Sequence, residues 1–158
     1  MIGTVGSEAK AKLARANGCH HTVLYREEDL LERVQEITDG AGVPVVYDSV
    51  GKDTYEASLD CLAPLGMLVN FGSASGPVES VSPATLASKG SLFFTRPTLM
   101  TYTAKREDLL ASASDLMSVV GSGAVKISVD QTYALKDARQ AHEDLEARST
   151  TGSTVFTL

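Results

Sequence analysis

Ile2-Gly3-Thr4-Val5-Gly6-Ser7-Glu8-Ala9-Lys10-Ala11-Lys12-Leu13-Ala14-Arg15-Ala16-Asn17-Gly18 reads as a strand, a tight turn and a helix with no linker between them. Ile2 to Val5 is a short β-prone run that Gly6-Ser7 breaks. Ala9, Leu13 and Ala16 then recur at helical spacing until Gly18 supplies a carboxy-terminal stop. The same alternation continues downstream. His21–Leu24 is a predicted strand, and Glu28 to Thr38 is a predicted helix with Leu30, Leu31, Val34 and Ile37 on one face. Val43 to Asp48 is nearly all apolar, as in a strand covered on both faces, with Pro44 tolerable near its start. Tyr55 to Leu62 follows as a helix, Pro64-Leu65-Gly66 as a turn, Met67–Phe71 as a buried strand, Pro83–Ser88 as a short helix and Ser91–Thr95 as a strand. Strands and helices in this order indicate a parallel sheet, doubly wound, with helices on both faces.

The pattern changes after Arg96-Pro97. A long amphipathic helix is predicted from Arg106 to Val120, with Leu109, Leu110, Ala113, Leu116, Met117 and Val120 inward. Val125–Val129 reads as a strand, Leu135–Ala147 as a helix and Ser153–Leu158 as a terminal strand.

At 158 residues the chain holds one ordinary core, or one domain and part of another. A formal charge of −6 with interspersed signs argues against nucleic-acid or anionic-membrane partners. No apolar run is long enough to span a bilayer. Two cysteines without CxxC spacing, Cys19 and Cys61, fit a reducing cytoplasm and read as buried small hydrophobes. No metal site is expected: His20 and His21 are adjacent, so in a strand they face opposite ways, and His142 has no partner at helical spacing.

The end of the first strand carries a functional expectation. In a dinucleotide-binding α/β fold the ribose is read at the end of the second strand, and an NAD site places Asp or Glu there. This chain offers Gly6 and Ser7, with Lys10 one turn into the helix. A small polar niche, a cation and a helix amino terminus suit a 2′-phosphate, hence NADPH. By this reading the first strand of the chain is the second of the fold. The sheet then lacks its first strand and the glycine-rich turn after it.

The segments Thr4-Val5-Gly6-Ser7-x-x-Lys10, Tyr25-Arg26-Glu27-Glu28, Val46-Tyr47-Asp48-Ser49-Val50-Gly51 and Phe71-Gly72-x-x-Ser75-Gly76 stand in order at fitting spacings. With Thr95-Arg96-Pro97 and Leu135-x-x-Ala138-x-x-Ala141-His142, the chain resembles the NADPH-dependent quinone oxidoreductases, zinc-independent members of the medium-chain dehydrogenase/reductase superfamily. The family is about twice as long, so the resemblance covers its carboxy-terminal half.

The resemblance implies a Rossmann-like α/β fold, with residues 1–98 as a partial NADP-binding domain and 99–158 as a carboxy-terminal α+β segment of the catalytic domain. It implies that Gly6, Ser7 and Lys10 hold the 2′-phosphate, that Tyr25 lies against the adenosine, and that Val50 walls the adenine or its ribose. Phe71, Gly72, Ser73 and Ser75 would border the nicotinamide half, with Ser75 donating a hydrogen bond. Pro97, Thr98 and Leu99 would meet the carboxamide, and Arg148 the pyrophosphate. It assigns no catalytic side chain here, because the cofactor carries hydride chemistry. The implied activity is transfer of reducing equivalents from NADPH to a quinone or an α,β-unsaturated carbonyl, in a cytoplasmic homodimer joined through the Leu92–Phe94 edge. Two readings compete: a non-catalytic nucleotide-binding or dimerisation fragment, and an enoyl reductase of the same superfamily.

Overall fold

Strand β1 (Ile2–Val5) stops at Gly6, and Ser7 caps helix α1 (Glu8–Ala16) by accepting a long, 3.4 Å bond from the Lys10 amide. Strand β2 (His21–Leu24) runs parallel to β1 with Val5 opposite Leu24, so Gly6 and Tyr25 leave the pair side by side. These features come from a computed structural model that describes residues 1–158. Helix α2 (Leu30–Ile37) starts two residues later than its periodicity predicts. Asp29 takes the cap, accepting the Glu32 amide at 2.9 Å, while Glu28 turns back to accept the Leu24 amide at 2.6 Å. A cap of this kind is worth about 1 kcal/mol.

Strands β3 (Val43–Asp48), β4 (Leu62–Asn70) and β5 (Phe93–Thr95) form a second parallel sheet in that order. Helix α3 (Tyr55–Asp60) joins the first two, and α4 (Pro83–Ser88), capped by Ser82, precedes the third. The register aligns Val46, Leu68 and Phe94 on one face, where Tyr55, Leu59, Leu62 and Leu92 complete the core. Full burial of Leu59 and Leu68 contributes about 2 kcal/mol each. The alternation of parallel strands and helices is the α/β architecture expected from the sequence. The opposite face of this sheet carries Val45, Tyr47, Met67 and Phe93 exposed, Tyr47 by 74%.

Two predicted local features are corrected. The Pro64-Leu65-Gly66 turn lies inside β4 as a bulge: Val43 faces Leu62 and Val45 faces Met67, so Ala63 to Gly66 stand against Pro44 alone. Leu65 adopts a left-handed φ of 63°, and its amide reaches the Gly90 carbonyl at 2.8 Å. Of the two cysteines, only Cys61 is buried; Cys19 is partly exposed and donates to the His21 carbonyl at 2.9 Å.

The β1–β2 pair and the β3–β4–β5 sheet are not hydrogen-bonded to each other, so β1 and β3 each keep one open edge. These are the strands between which a doubly wound sheet places its first strand.

Burial, reinforced by Asp60 and then Asp29, pushes the Cys61 thiol up to about 11 from 9.0. A raised value means that the folded chain holds the proton where the unfolded chain has lost it. Stability is then fully present below pH 9 and falls as pH rises towards 11. Urea unfolding at pH 8 and pH 10.5 is expected to show this loss, and Cys61→Ala is expected to flatten that part of the dependence.

The chain divides into two units, Met1–Thr101 and Tyr102–Leu158, with the short helix α5 (Leu99–Tyr102) across the division. In the second unit, helix α6 (Arg106–Gly121) buries none of its residues, although Leu109, Leu110, Ala113, Leu116, Met117 and Val120 were expected inward. Amphipathic spacing names a face without naming what covers it. Regular strand begins only at Val129, where the predicted strand was to end. Strand β6 (Val129–Ala134) pairs in parallel with β7 (Ser153–Thr157), linked by a 3-10 turn (Leu135–Asp137) and helix α7 (Ala138–Glu146). The Tyr133 hydroxyl donates to Asp144 Oδ2 at 2.6 Å and pins β6 to α7. That bond holds the Asp144 carboxyl below its usual range and the Tyr133 hydroxyl above its own. No helix is long and apolar enough to cross a membrane.

Candidate functional site

The first cluster stands at the carboxyl ends of β1 and β2. A Cβ added to Gly6 would lie 3.1 Å from the Tyr25 hydroxyl, so the phenol rests over the Gly6 backbone. Tyr25 is 42% exposed, its ring half covered and half open. Ser7 and Lys10 begin α1 beside it, where the first amides of a helix and its dipole favour an anion. Glu8 would oppose this, but Arg15 pairs with it at 2.8 Å. Arg26, part of the Tyr25-Arg26-Glu27-Glu28 segment but given no role by the sequence, places its guanidinium 5.9 Å from the Tyr25 ring centroid. Gly6, Ser7 and Tyr25 are thus brought together, with Lys10 one helical turn from Ser7.

The second cluster is made by the loops that leave β3 and β4. Asp48 is only 5% exposed and accepts four hydrogen bonds. Its Oδ1 takes the Val50 and Gly51 amides at 2.7 and 3.0 Å, and its Oδ2 takes the Thr54 and Ser58 hydroxyls at 2.8 and 3.0 Å. A carboxylate so satisfied fixes the turn in which Gly51 adopts φ 90°. The β4 loop is laced to this turn. Phe71 N–H donates to the Asp48 carbonyl at 2.9 Å, Ala74 N–H to Ser49 at 3.2 Å and Ser75 N–H to Val50 at 2.9 Å. Gly72 passes so close that a Cβ there would meet the Ser49 carbonyl oxygen at 2.3 Å. The Ser75 hydroxyl, expected to donate to a bound molecule, gives its proton to the Val50 carbonyl at 2.9 Å and accepts the Asp53 amide at 3.0 Å. Val50, Phe71, Gly72, Ser73 and Ser75 therefore share one rim, with Phe71 half exposed.

Pro97, Thr98 and Leu99 follow β5, and the Thr98 hydroxyl meets that of Thr101 at 2.9 Å. Arg148 lies in the second unit just past α7, in a left-handed φ of 58°. No group of three or more His, Cys, Asp and Glu side chains is placed to hold a metal ion. His20 Nδ1 lies 2.8 Å from the Met1 amine.

Residues 17–156 match the zinc-binding dehydrogenase family. The chain is 54% identical to a quinone oxidoreductase of Salmonella typhimurium, over 99% of its own length and 48% of the relative's. It is 46% identical to a 2-haloacrylate reductase of a Burkholderia species, over 99% and 47% of the two chains. Among solved structures, the quinone oxidoreductase of Escherichia coli complexed with NADPH superimposes with a TM-score of 0.94 at 50% identity, covering 99% of this chain and 49% of that one. The chain thus spans about half the length of the relatives it matches.

Proposed function

Because the chain belongs to the zinc-binding dehydrogenase family, we propose that it forms the NADPH-binding half of an oxidoreductase that passes reducing equivalents to a quinone. The observation that carries this reading is the niche at the end of β1. Gly6 stands where an NAD site would place a carboxylate, and Ser7, Lys10 and the start of α1 offer a hydroxyl, a cation and a helix terminus. This donor set fits a phosphomonoester on the adenosine ribose, and the likeness to a structure complexed with NADPH supports it.

In this reading Gly6, Ser7 and Lys10 hold the 2′-phosphate, and Tyr25 packs its ring against the adenosine. Val50 walls the adenine side, while Phe71, Gly72 and Ser73 border the nicotinamide side, where glycine lets backbone approach a ring closely. Pro97, Thr98 and Leu99 meet the carboxamide, and Arg148 is assigned to the pyrophosphate on family resemblance alone. NADPH, when bound, supplies the hydride. The residues of this chain bind and orient it. Residues 1–98 are assigned to the nucleotide domain and 99–158 to the catalytic domain, a division that the break at Thr101/Tyr102 supports. We assign the protein to the cytoplasm, without zinc. It is further assigned as a homodimer joined through the edge strand β5, where Phe93 is 54% exposed, and sedimentation of the complete protein reads that state.

A second acceptor class is favoured by a specific likeness: the match to a 2-haloacrylate reductase supports an α,β-unsaturated carbonyl as substrate. The test of the main reading is a hybrid in which this chain replaces the matching part of the Salmonella typhimurium quinone oxidoreductase. Fluorescence titration is expected to give at least tenfold tighter binding of NADPH than of NADH. Equal binding of the two overturns the niche assignment, and NADPH oxidation compared with benzoquinone and with 2-chloroacrylate ranks the two acceptor classes.

A further inference from the structure

We propose that Ser75 is a positioning residue that joins the nicotinamide-side loop to the adenosine-side loop, so that the two halves of a dinucleotide are gripped by one rigid surface. This rests on the reading above. The residue belongs by sequence to the loop after β4, yet its side chain acts wholly on the loop after β3. One hydroxyl donates to the Val50 carbonyl at 2.9 Å and accepts the Asp53 amide at 3.0 Å, and so brackets the turn on both sides of Gly51. The opposite side of that turn is held by Asp48, through the Val50 and Gly51 amides. Val50 is therefore fixed by its N–H from within its own loop and by its C=O from the neighbouring loop. Further backbone bonds run in both directions, from Lys52 N–H to the Gly76 carbonyl at 3.1 Å and from Ala74 N–H to Ser49 at 3.2 Å. Gly51 and Gly72 permit this closeness, since a Cβ at either would strike backbone of the other loop. A hydroxyl has one proton. Given to Val50, it is not available to the cofactor, which separates a positioning role from direct contact.

A ligand that spans only the adenosine half distinguishes the two roles, because it does not reach the loop that carries Ser75. The probe is 2′,5′-ADP, titrated calorimetrically into the hybrid enzyme described above, in which the chain is unaltered or carries the substitution. Ser75→Ala is expected to weaken 2′,5′-ADP roughly fivefold, the scale of one net hydrogen bond. Ser75→Thr, which keeps the hydroxyl, is expected to bind within twofold of the unaltered chain. In the absence of ligand, the Asp53 amide, which loses its acceptor, is expected to exchange its hydrogen several times faster in Ser75→Ala. Ser88→Ala deletes a hydroxyl bonded only to the Thr85 carbonyl within α4 and is expected to change none of these readings. Equal binding of 2′,5′-ADP by Ser75→Ala and the unaltered chain overturns the positioning role and leaves the NADPH reading intact. If the hybrid that carries the unaltered chain does not bind 2′,5′-ADP, the NADPH reading falls and the positioning role with it.

Discussion

Gly72→Ala is expected to destabilise the first unit by about 2–3 kcal/mol and to weaken NADPH in the hybrid enzyme at least tenfold. The added methyl group would lie 2.3 Å from the Ser49 carbonyl oxygen and 2.8 Å from its carbonyl carbon. Both are backbone atoms, so no rotamer change relieves the contact and the loops must part. Parting them strains the bonds from Phe71 to Asp48 and from Ser75 to Val50, and so disturbs both rims of the site together. Urea unfolding of the chain and NADPH titration of the hybrid measure the two effects. Gly121→Ala is the control. A Cβ there meets nothing within 4 Å, and alanine in the last turn of α6 is expected to be neutral or to stabilise by a few tenths of a kcal/mol. A Gly72→Ala chain as stable as the unaltered one would show that the two loops are not in contact.

Lys10→Ala is expected to cost NADPH about 1–2 kcal/mol of affinity, roughly five- to thirtyfold, and to leave NADH almost unchanged. The asymmetry follows from charge. A 2′-phosphate is a dianion near neutral pH, and a 2′-hydroxyl carries no charge for an ammonium group to answer. Because the niche is partly open to water, the penalty is expected to shrink as salt rises from 0.05 to about 0.5 M, through screening. Titration of both cofactors at two salt concentrations reads all of this. If NADH weakens as much as NADPH, Lys10 supports the fold and does not select the cofactor.

Much of the first unit was legible because glycine and polar caps punctuate it. The bounds of β1, β2, β3 and α4 coincide with the residues that their flanking turns announce. Legibility failed wherever the deciding contact is distant in sequence. Pro64-Leu65-Gly66 has the composition of a turn, but pairing of β4 with β3, together with the Leu65 bond to Gly90, draws it into the strand. Ser75 looks like a loop hydroxyl free for a ligand. Its partners Val50 and Asp53, more than twenty residues earlier, become visible only in three dimensions. In α6 the spacing of leucines is real, yet no surface of its own unit answers it. The strand-end niche was readable because all of its members except Tyr25 and Arg26 lie within one turn of Gly6.

The open edges of β1 and β3 bear on how the first unit responds to company. One extended segment entering between them in parallel would satisfy two rows of backbone donors and acceptors in a single event. Its docking would weld two small sheets into one cooperative block. Such an insertion would act like a tightly held ligand: the melting temperature of the unit would rise with the concentration of a free segment. The resilience of these residues would then be set as much by what slots into the seam as by the side chains on either bank.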